Sequence, residues 1–298
     1  MNKPLSLVLA AGSLGDSILT LPALQALQSR SKVTVAGTSP YLALGAPLLG
    51  VEEVGPLDSL LQALLYDGSL DEKDRQFLAG FHEAFIFFKS KDERLFKKLA
   101  AVGNLQVRQP AKPFGEFLSE GRWAAEYWLE TVLPGPLPDD SPWRQARLQV
   151  DEPLREKGRW ILDRLGLSAP LVIHPGSGSP SKNAPLSFFR EAAQRAGTES
   201  QKQVLVVWGE AEVRNLVAIR EAFAGLGNVR VLPEPLTLME LVGVFSQSAA
   251  YLGNDSGVTH LASACGLRTF ALFNATDANV WGPRANSIVL SMLKGNLH

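Results

Sequence analysis

Residues 9–24, LAAGSLGDSILTLPAL, decide how this chain is read. They close an apolar run, LSLVLA at 5–10, turn on two glycines and continue as an amphipathic stretch. Over 17–28, Ile18, Leu21, Leu24 and Leu27 recur at helical spacing on one face. Strand, glycine turn and helix in that order open a doubly wound α/β unit. Such turns usually hold a phosphate against the helix N-terminus. Here Asp16 stands where the phosphate would lie. The glycines fall at Gly12 and Gly15 only, so the G-x-G-x-x-G dinucleotide fingerprint is missing, and no G-K-[ST] follows to make a P-loop. Asp16, or Ser17, also fits a plain helix cap.

The pattern repeats downstream. KVTVAG (32–37), EAFIFF (83–88) and NLQVRQ (104–109) read as strands, with a basic amphipathic helix at about 92–101 and another helix over 115–133. The Pro- and Asp-rich PGPLPDDSPW (134–143) reads as a linker. The alternation then restarts. Helices are expected at 152–166, at 185–196 behind Pro185, at 211–225, at 237–247 and from 256 to about 265. Strands are expected at 202–209, 228–233 and 268–274, and strand-and-turn segments at 169–176 and 249–257, with 268–274 closing the second sheet. Strands apolar throughout, each followed by a helix, mean parallel sheets covered on both faces. Two Rossmann-like domains, 1–145 and 146–298, facing a central cleft are therefore expected, with chemistry in the loops after each strand.

Composition narrows the class. The 298 residues are 46% hydrophobic, with 29 Lys and Arg against 30 Asp and Glu. That balance suits a soluble globular protein and argues against nucleic acid as partner. The lone Cys265 excludes an internal disulfide framework and fits a reducing, cytoplasmic compartment. The opening apolar run is too short for a signal peptide, and no stretch approaches the roughly 20 apolar residues of a membrane span.

Four further loops carry chemistry. HPGSGSPSKNAP (174–185) offers Ser177, Ser179, Ser181 and two glycines, whose amides can approach an anion, and Lys182, whose charge suits a diphosphate. A flexible polar turn fits it equally, and His174 gets no role. GNDSGVTHLASACG (253–266) places Asp255, Ser256 and Gly257 at a helix start, with His260 one turn further in. It suits either an anion site with a sugar-binding acid or a simple Asp/Ser cap. In WGEAEVRN (208–215), Glu210 and Glu212 fit a dipole-favoured first turn or a ribose contact. FNATDANVWGP (273–283), after the final expected strand, sets Thr276, Asp277 and Trp281 facing the expected cleft, where they fit either packing of the domains together or a ligand contact. His82, His174, His260 and His298 show no metal-ligand spacing, and no D-x-D pair stands at a strand end, so no metal site is expected. No G-x-S-x-G elbow supports hydrolase chemistry.

Together these loops resemble glycosyltransferase family 9, the ADP-heptose:lipopolysaccharide heptosyltransferases and their relatives. The likeness rests on Gly15, Asp16 and Pro22 in the first turn, on Ser177 and Lys182 in the second loop, and on the D-S-G-V-T-H-L-A segment with the T-D and W-G-P that follow. It spans almost the whole chain in order, although KNAP replaces the family's usual K-x-W-P. The resemblance implies a GT-B fold, with the acceptor bound by the N-terminal domain and an ADP-linked sugar by the C-terminal one. It implies an inverting, metal-independent transfer with no cofactor. Asp16 would be the catalytic base. Lys182, Ser256 and Gly257 would hold the diphosphate, Asp255 the donor sugar and Glu212 the ribose, with Glu210 competing for it; Ser177 and His260 would also line the donor site. Gly12 and Gly15 would leave room for an acceptor hydroxyl. The acceptor would be a glycolipid or glycan. Lys89, Lys91, Arg94, Lys97 and Lys98 could meet its phosphates, unless they are only a solvated helix face. A monomer is expected, working in the cytoplasm with peripheral contact at the inner membrane, and with an abbreviated C-terminal helix. Two alternatives stay open: a nucleotide-sugar binding protein without transferase activity, and an epimerase on the same frame. A Rossmann dehydrogenase lacks its glycine spacing.

Overall fold

The computed structural model describes residues 3–65, 69–88, 93–133, 135, 138 and 140–291. The chain divides into two compact units, Met1–Ala146 and Arg147–His298. The first contains β1 (Leu5–Ala10), α1 (Leu14–Leu19), α2 (Leu21–Gln28), β2 (Lys32–Gly37), α3 (Ser39–Leu49), β3 (Glu53–Pro56), α4 (Asp58–Leu65), α5 (Glu72–Ala79), β4 (Glu83–Phe87), α6 (Glu93–Ala100), β5 (Gln106–Arg108), α7 (Phe114–Ser119) and α8 (Ala124–Leu129). Its strands form one parallel sheet in the order β3-β2-β1-β4-β5, with Ser6 paired to Val33 on one side and Glu83 on the other. Leu7, Val8, Leu9 and Ala10 are all buried, so both faces of the central strand are covered. Leu7 and Leu9 pack with Ile86, Leu95 and Leu99 in one core cluster. Each fully buried leucine there contributes roughly 1.5–3 kcal/mol.

The second unit runs α9 (Glu152–Arg164), β6 (Leu171–His174), α10 (Leu186–Ser200), β7 (Val204–Val206), α11 (Leu216–Phe223), β8 (Val229–Val231), α12 (Leu238–Ser246), β9 (Ala250–Asn254), α13 (Gly257–Ala264), β10 (Thr269–Phe273), α14 (Ala278–Trp281) and β11 (Ser287–Ser291). Its parallel sheet has the order β11-β10-β9-β6-β7-β8. Ile173, Phe189, Val206 and Leu272 meet in its core.

The strand order fixes where ligands bind. In the first sheet the chain runs outward from β1 to β3 and then returns to the other side of β1 at β4. In the second, β6 to β8 run one way and β9 to β11 the other. Crevices at the carboxyl ends of the strands therefore open between β1 and β4, and between β6 and β9.

Four expectations are corrected. The helix expected over 17–28 is two helices broken at Thr20, because Pro22 has no N–H to continue the ladder and instead suits the first turn of a new helix. The one expected over 115–133 is also two, because Gly121 takes a left-handed conformation (φ +68°) after α7. The helix expected from 211 begins as a 3-10 turn, Glu210–Asn215, drawn tight by the bond from the Gly209 amide to the Glu212 carboxylate. The loop at 273–283 does not follow the last strand, since β11 adds an edge beyond β10.

Candidate functional site

The Asp16 turn is built locally. Ser13, not Asp16 or Ser17, is the N-cap of α1, and Asp16 is its reciprocal partner three residues on. Asp16 Oδ2 accepts from the Ser13 amide at 2.9 Å and from the Ser13 hydroxyl at 2.8 Å, while the Asp16 amide donates back to Ser13 Oγ at 3.4 Å. This is a capping box with an aspartate in the usual glutamate place. The carboxylate is half-buried. Its other oxygen, Oδ1, has no hydrogen-bond partner among the described residues. The turn requires Gly12, whose φ is +145° and where a Cβ would lie 2.7 Å from Asp16 Cβ. Asp16 thus stands at the end of β1, in the crevice toward β4, with one oxygen fixed and one open.

In the second unit the loops after β6 and β9 meet. Lys182 Nζ lies 2.7 Å from Asp255 Oδ2. The lysine side chain is 32% exposed and the aspartate only 6%, so one end of the pair is wet and the other buried. Thr276 Oγ1, after β10, donates to the same Asp255 oxygen at 2.5 Å. Ser256 caps α13 by accepting from the Thr259 amide at 3.3 Å. The amides of Gly257 and Val258 open that helix and have no acceptor within it. His260, in the second turn, is buried.

The 175–184 loop is shaped by residues to which sequence reasoning gave no role. Asn254, fully buried at the end of β9, accepts from the Ala184 amide at 2.9 Å and donates to the Pro175 carbonyl at 2.8 Å. Asn274 donates to the Lys182 carbonyl at 3.1 Å. Ser177, expected to line the donor site, has its hydroxyl within 2.7 Å of the Ser179 carbonyl and 2.6 Å of Asn183 Oδ1, so it stabilises the loop itself.

Glu212 and Glu210 separate clearly. Glu210 is exposed. Glu212 is buried and its Oε2 lies 3.3 Å from His174 Nε2 and 2.9 Å from the Gly209 amide. Burial alone would raise the Glu212 pKa, but the His174 bond and charge and the amide donors outweigh it and hold the carboxyl below its ordinary value. A carboxylate only accepts, so Nε2 carries the hydrogen. The His174 Nδ1 has no partner among the described residues. A Cβ on Gly176 would lie 2.0 Å from Glu212 Oε1, so only glycine lets the loop pass this close. Across the sheet, β10, β9, β6 and β7 thus present Thr276, Asp255, Lys182 and Glu212 in spatial order.

The remaining sequence candidates are less gathered. Asp277 caps α14 through the Asn279 amide at 2.8 Å, and Trp281 ends that helix. Lys97 pairs with Glu93 and Lys98 donates to the Ala63 carbonyl. Lys89, Lys91 and the tail at 292–298, including His298, lie outside the described residues. Among the described residues no three His, Cys, Asp or Glu side chains gather so as to hold a metal ion, and no helix is long and apolar enough to cross a membrane.

Two parallel-sheet units with strand-end loops of this kind make up the GT-B fold. Two solved structures have it too: ADP-heptose LPS heptosyltransferase II of E. coli (TM-score 0.72, 19% identity, 97% of this chain and 91% of that one) and a family 9 glycosyltransferase of Veillonella parvula (TM-score 0.71, 16% identity, 99% and 89%). The family model described as glycosyltransferase family 9 (heptosyltransferase) matches residues 137–296, which carry every loop of the second unit. The chain belongs to that family. It is also similar to lipopolysaccharide heptosyltransferase 1 of Pseudomonas aeruginosa, 34% identical over 147 residues. That match takes in 47% of this chain and 40% of the relative, so less than half the length of the curated relative is spanned.

Proposed function

We propose that this protein is an inverting, metal-independent glycosyltransferase that moves a heptose or related sugar from an ADP-sugar to a hydroxyl of a lipopolysaccharide-core or similar glycan. The observation that carries the proposal is the Lys182–Asp255–Thr276 cluster at the crevice between β6 and β9, within the segment that matches the family. The first unit, Met1–Ala146, serves the acceptor and the second, Arg147–His298, the donor.

In the reaction the acceptor hydroxyl oxygen bonds to the anomeric carbon from the face opposite the leaving group. Its proton passes to Asp16 Oδ1. The bond from the anomeric carbon to the phosphate oxygen breaks, and ADP leaves with the electron pair. Lys182 and the Gly257 and Val258 amides stabilise the charge that grows there. Asp255 holds the donor sugar, Ser256 caps the helix whose start meets the diphosphate, and His260 lines the donor site. Glu212, oriented by His174 and Gly209, takes the ribose in preference to the exposed Glu210. Ser177 serves by shaping the loop. An ADP-sugar is a cytoplasmic compound and a glycolipid acceptor a membrane one, so the enzyme works in the cytoplasm, as a monomer, against the inner face of the inner membrane.

Calorimetric titration with a panel of nucleotide sugars, run beside a mass-spectrometric transfer assay, tests this reading. An ADP-linked sugar should bind more tightly than its UDP counterpart, and transfer should invert the anomeric centre and survive EDTA. Binding without transfer to any acceptor would instead define a nucleotide-sugar binding protein. Release of an epimerised sugar nucleotide would define an epimerase.

A further inference from the structure

Tyr41 lies outside every motif discussed so far, yet it is fully buried against the Asp16 turn. It stands in the first turn of α3, after β2, the strand paired beside β1. Its hydroxyl sits 3.0 Å from Thr20 Oγ1. Thr20 gives its single hydroxyl hydrogen to the Ser17 carbonyl at 2.7 Å, so the phenol must be the donor between them. Ser17 Oγ donates in turn to the Ser13 carbonyl at 3.0 Å. Ser13 then directs both its amide and its hydroxyl hydrogen to Asp16 Oδ2. The phenol, Thr20, Ser17 and Ser13 thus form a connected path to the carboxylate. Burial pushes the phenol's pKa well above its ordinary value, against the opposing pull of Thr20 and Ser17, and the Asp16 charge adds to the rise. Tyr41 therefore stays a donor throughout the working range of pH.

The need for such an anchor follows from α1 itself. Six residues form too few internal bonds to hold a helix on their own. Its C-terminal end is the break at Thr20, and that is where the phenol attaches. A tyrosine that only filled space would not need its hydroxyl at this point.

We propose that Tyr41 is a positioning residue: its hydroxyl, through Thr20 and Ser17, fixes the α1 turn so that Asp16 keeps Oδ2 bound and Oδ1 free to accept the acceptor's proton. The inference rests on the transferase reading above and deepens it.

Tyr41→Phe keeps the buried ring and removes the hydroxyl. It should lower kcat about tenfold, the worth of one hydrogen bond of about 1.4 kcal/mol in the transition state, with KM for donor and acceptor unchanged. Thr20→Val should do the same, and the double variant should be no worse than either alone. Amide hydrogen exchange over residues 14–20 should quicken in each. Tyr127→Phe is the control. It removes another phenol of the same unit, bonded to the Lys112 carbonyl, and should leave kcat unchanged. Full kcat in Tyr41→Phe, or a loss matched by Tyr127→Phe, would overturn the inference. If the wild type transfers sugar and Asp16→Asn does not, full activity in Tyr41→Phe removes only the role of Tyr41. If the wild type transfers nothing, the transferase reading falls, and unchanged exchange over 14–20 would remove the anchor as well.

Discussion

The two strand-end sites are held by different means. In the first unit the acid is fixed by Ser13, three residues away, inside one capping box. In the second, Lys182 is held by Asp255 and Asn274, Ala184 by Asn254, and Glu212 by His174, partners 38 to 92 residues apart in the chain. Both have a buried tyrosine behind the helix cap: Tyr41 bonded to Thr20, and Tyr251 bonded to Thr259 at 3.0 Å. The first site depends on its own turn and on one anchor beyond it, the Tyr41 hydroxyl on Thr20. The distributed one depends on the whole sheet, so damage to one member should spread.

Lys182→Ala should separate the two most strongly. It removes the cation expected on the diphosphate and leaves the buried Asp255 carboxylate with Thr276 as its one side-chain partner among the described residues. Loss of a charge-assisted contact of about 1.5–3 kcal/mol weakens donor binding roughly 10- to 150-fold. The fold should also lose up to about 3–5 kcal/mol, less in proportion to the solvent screening at the exposed lysine end. Calorimetry and thermal unfolding measure both. A variant that lost neither donor affinity nor stability would show that the ion pair is incidental.

A smaller effect concerns pH. The folded Glu212 has a pKa below that of the unfolded chain, where a glutamate titrates at about 4.3. Its stabilisation is therefore present above that value and is lost as pH falls through the folded pKa. Glu240 behaves likewise, held down first by the Thr237 amide and then by the Thr237 hydroxyl and Lys157. Glu120 in the first unit is also lowered, by Lys112 above all, but it is exposed and contributes little. Urea unfolding from pH 6 down to pH 3 should thus show a loss that Glu212→Gln makes shallower, with some stability already gone at neutral pH. An identical acid limb in wild type and variant would remove Glu212 from this account.

The same contrast explains what the sequence made legible. Alternating apolar runs and helical faces predict nearly every strand of both sheets. Asp16 stood out because an acid in a glycine turn is chemically odd. Lys182 and the Ser256–Gly257 helix start could be picked out by type and place. Asn254, Asn274, His174 and Tyr41 could not, since each acts through a partner brought near only by the fold. Ser13, a serine three residues before an acid, carries the cap signature, but the glycines on either side of it obscure where the helix starts. The short edge strands β3 and β11 carry no strong period, and β3 includes both a glycine and a proline.

The proposed mechanism puts the proton acceptor in the first unit and the donor site in the second. Asp16→Asn tests it most directly, because the amide oxygen can still accept from Ser13 and preserve the cap. Donor affinity by calorimetry should match the wild type, while the transfer rate falls on the order of 10²- to 10⁴-fold. Transfer at the wild-type rate, or loss of donor affinity with the cap intact, would contradict the account.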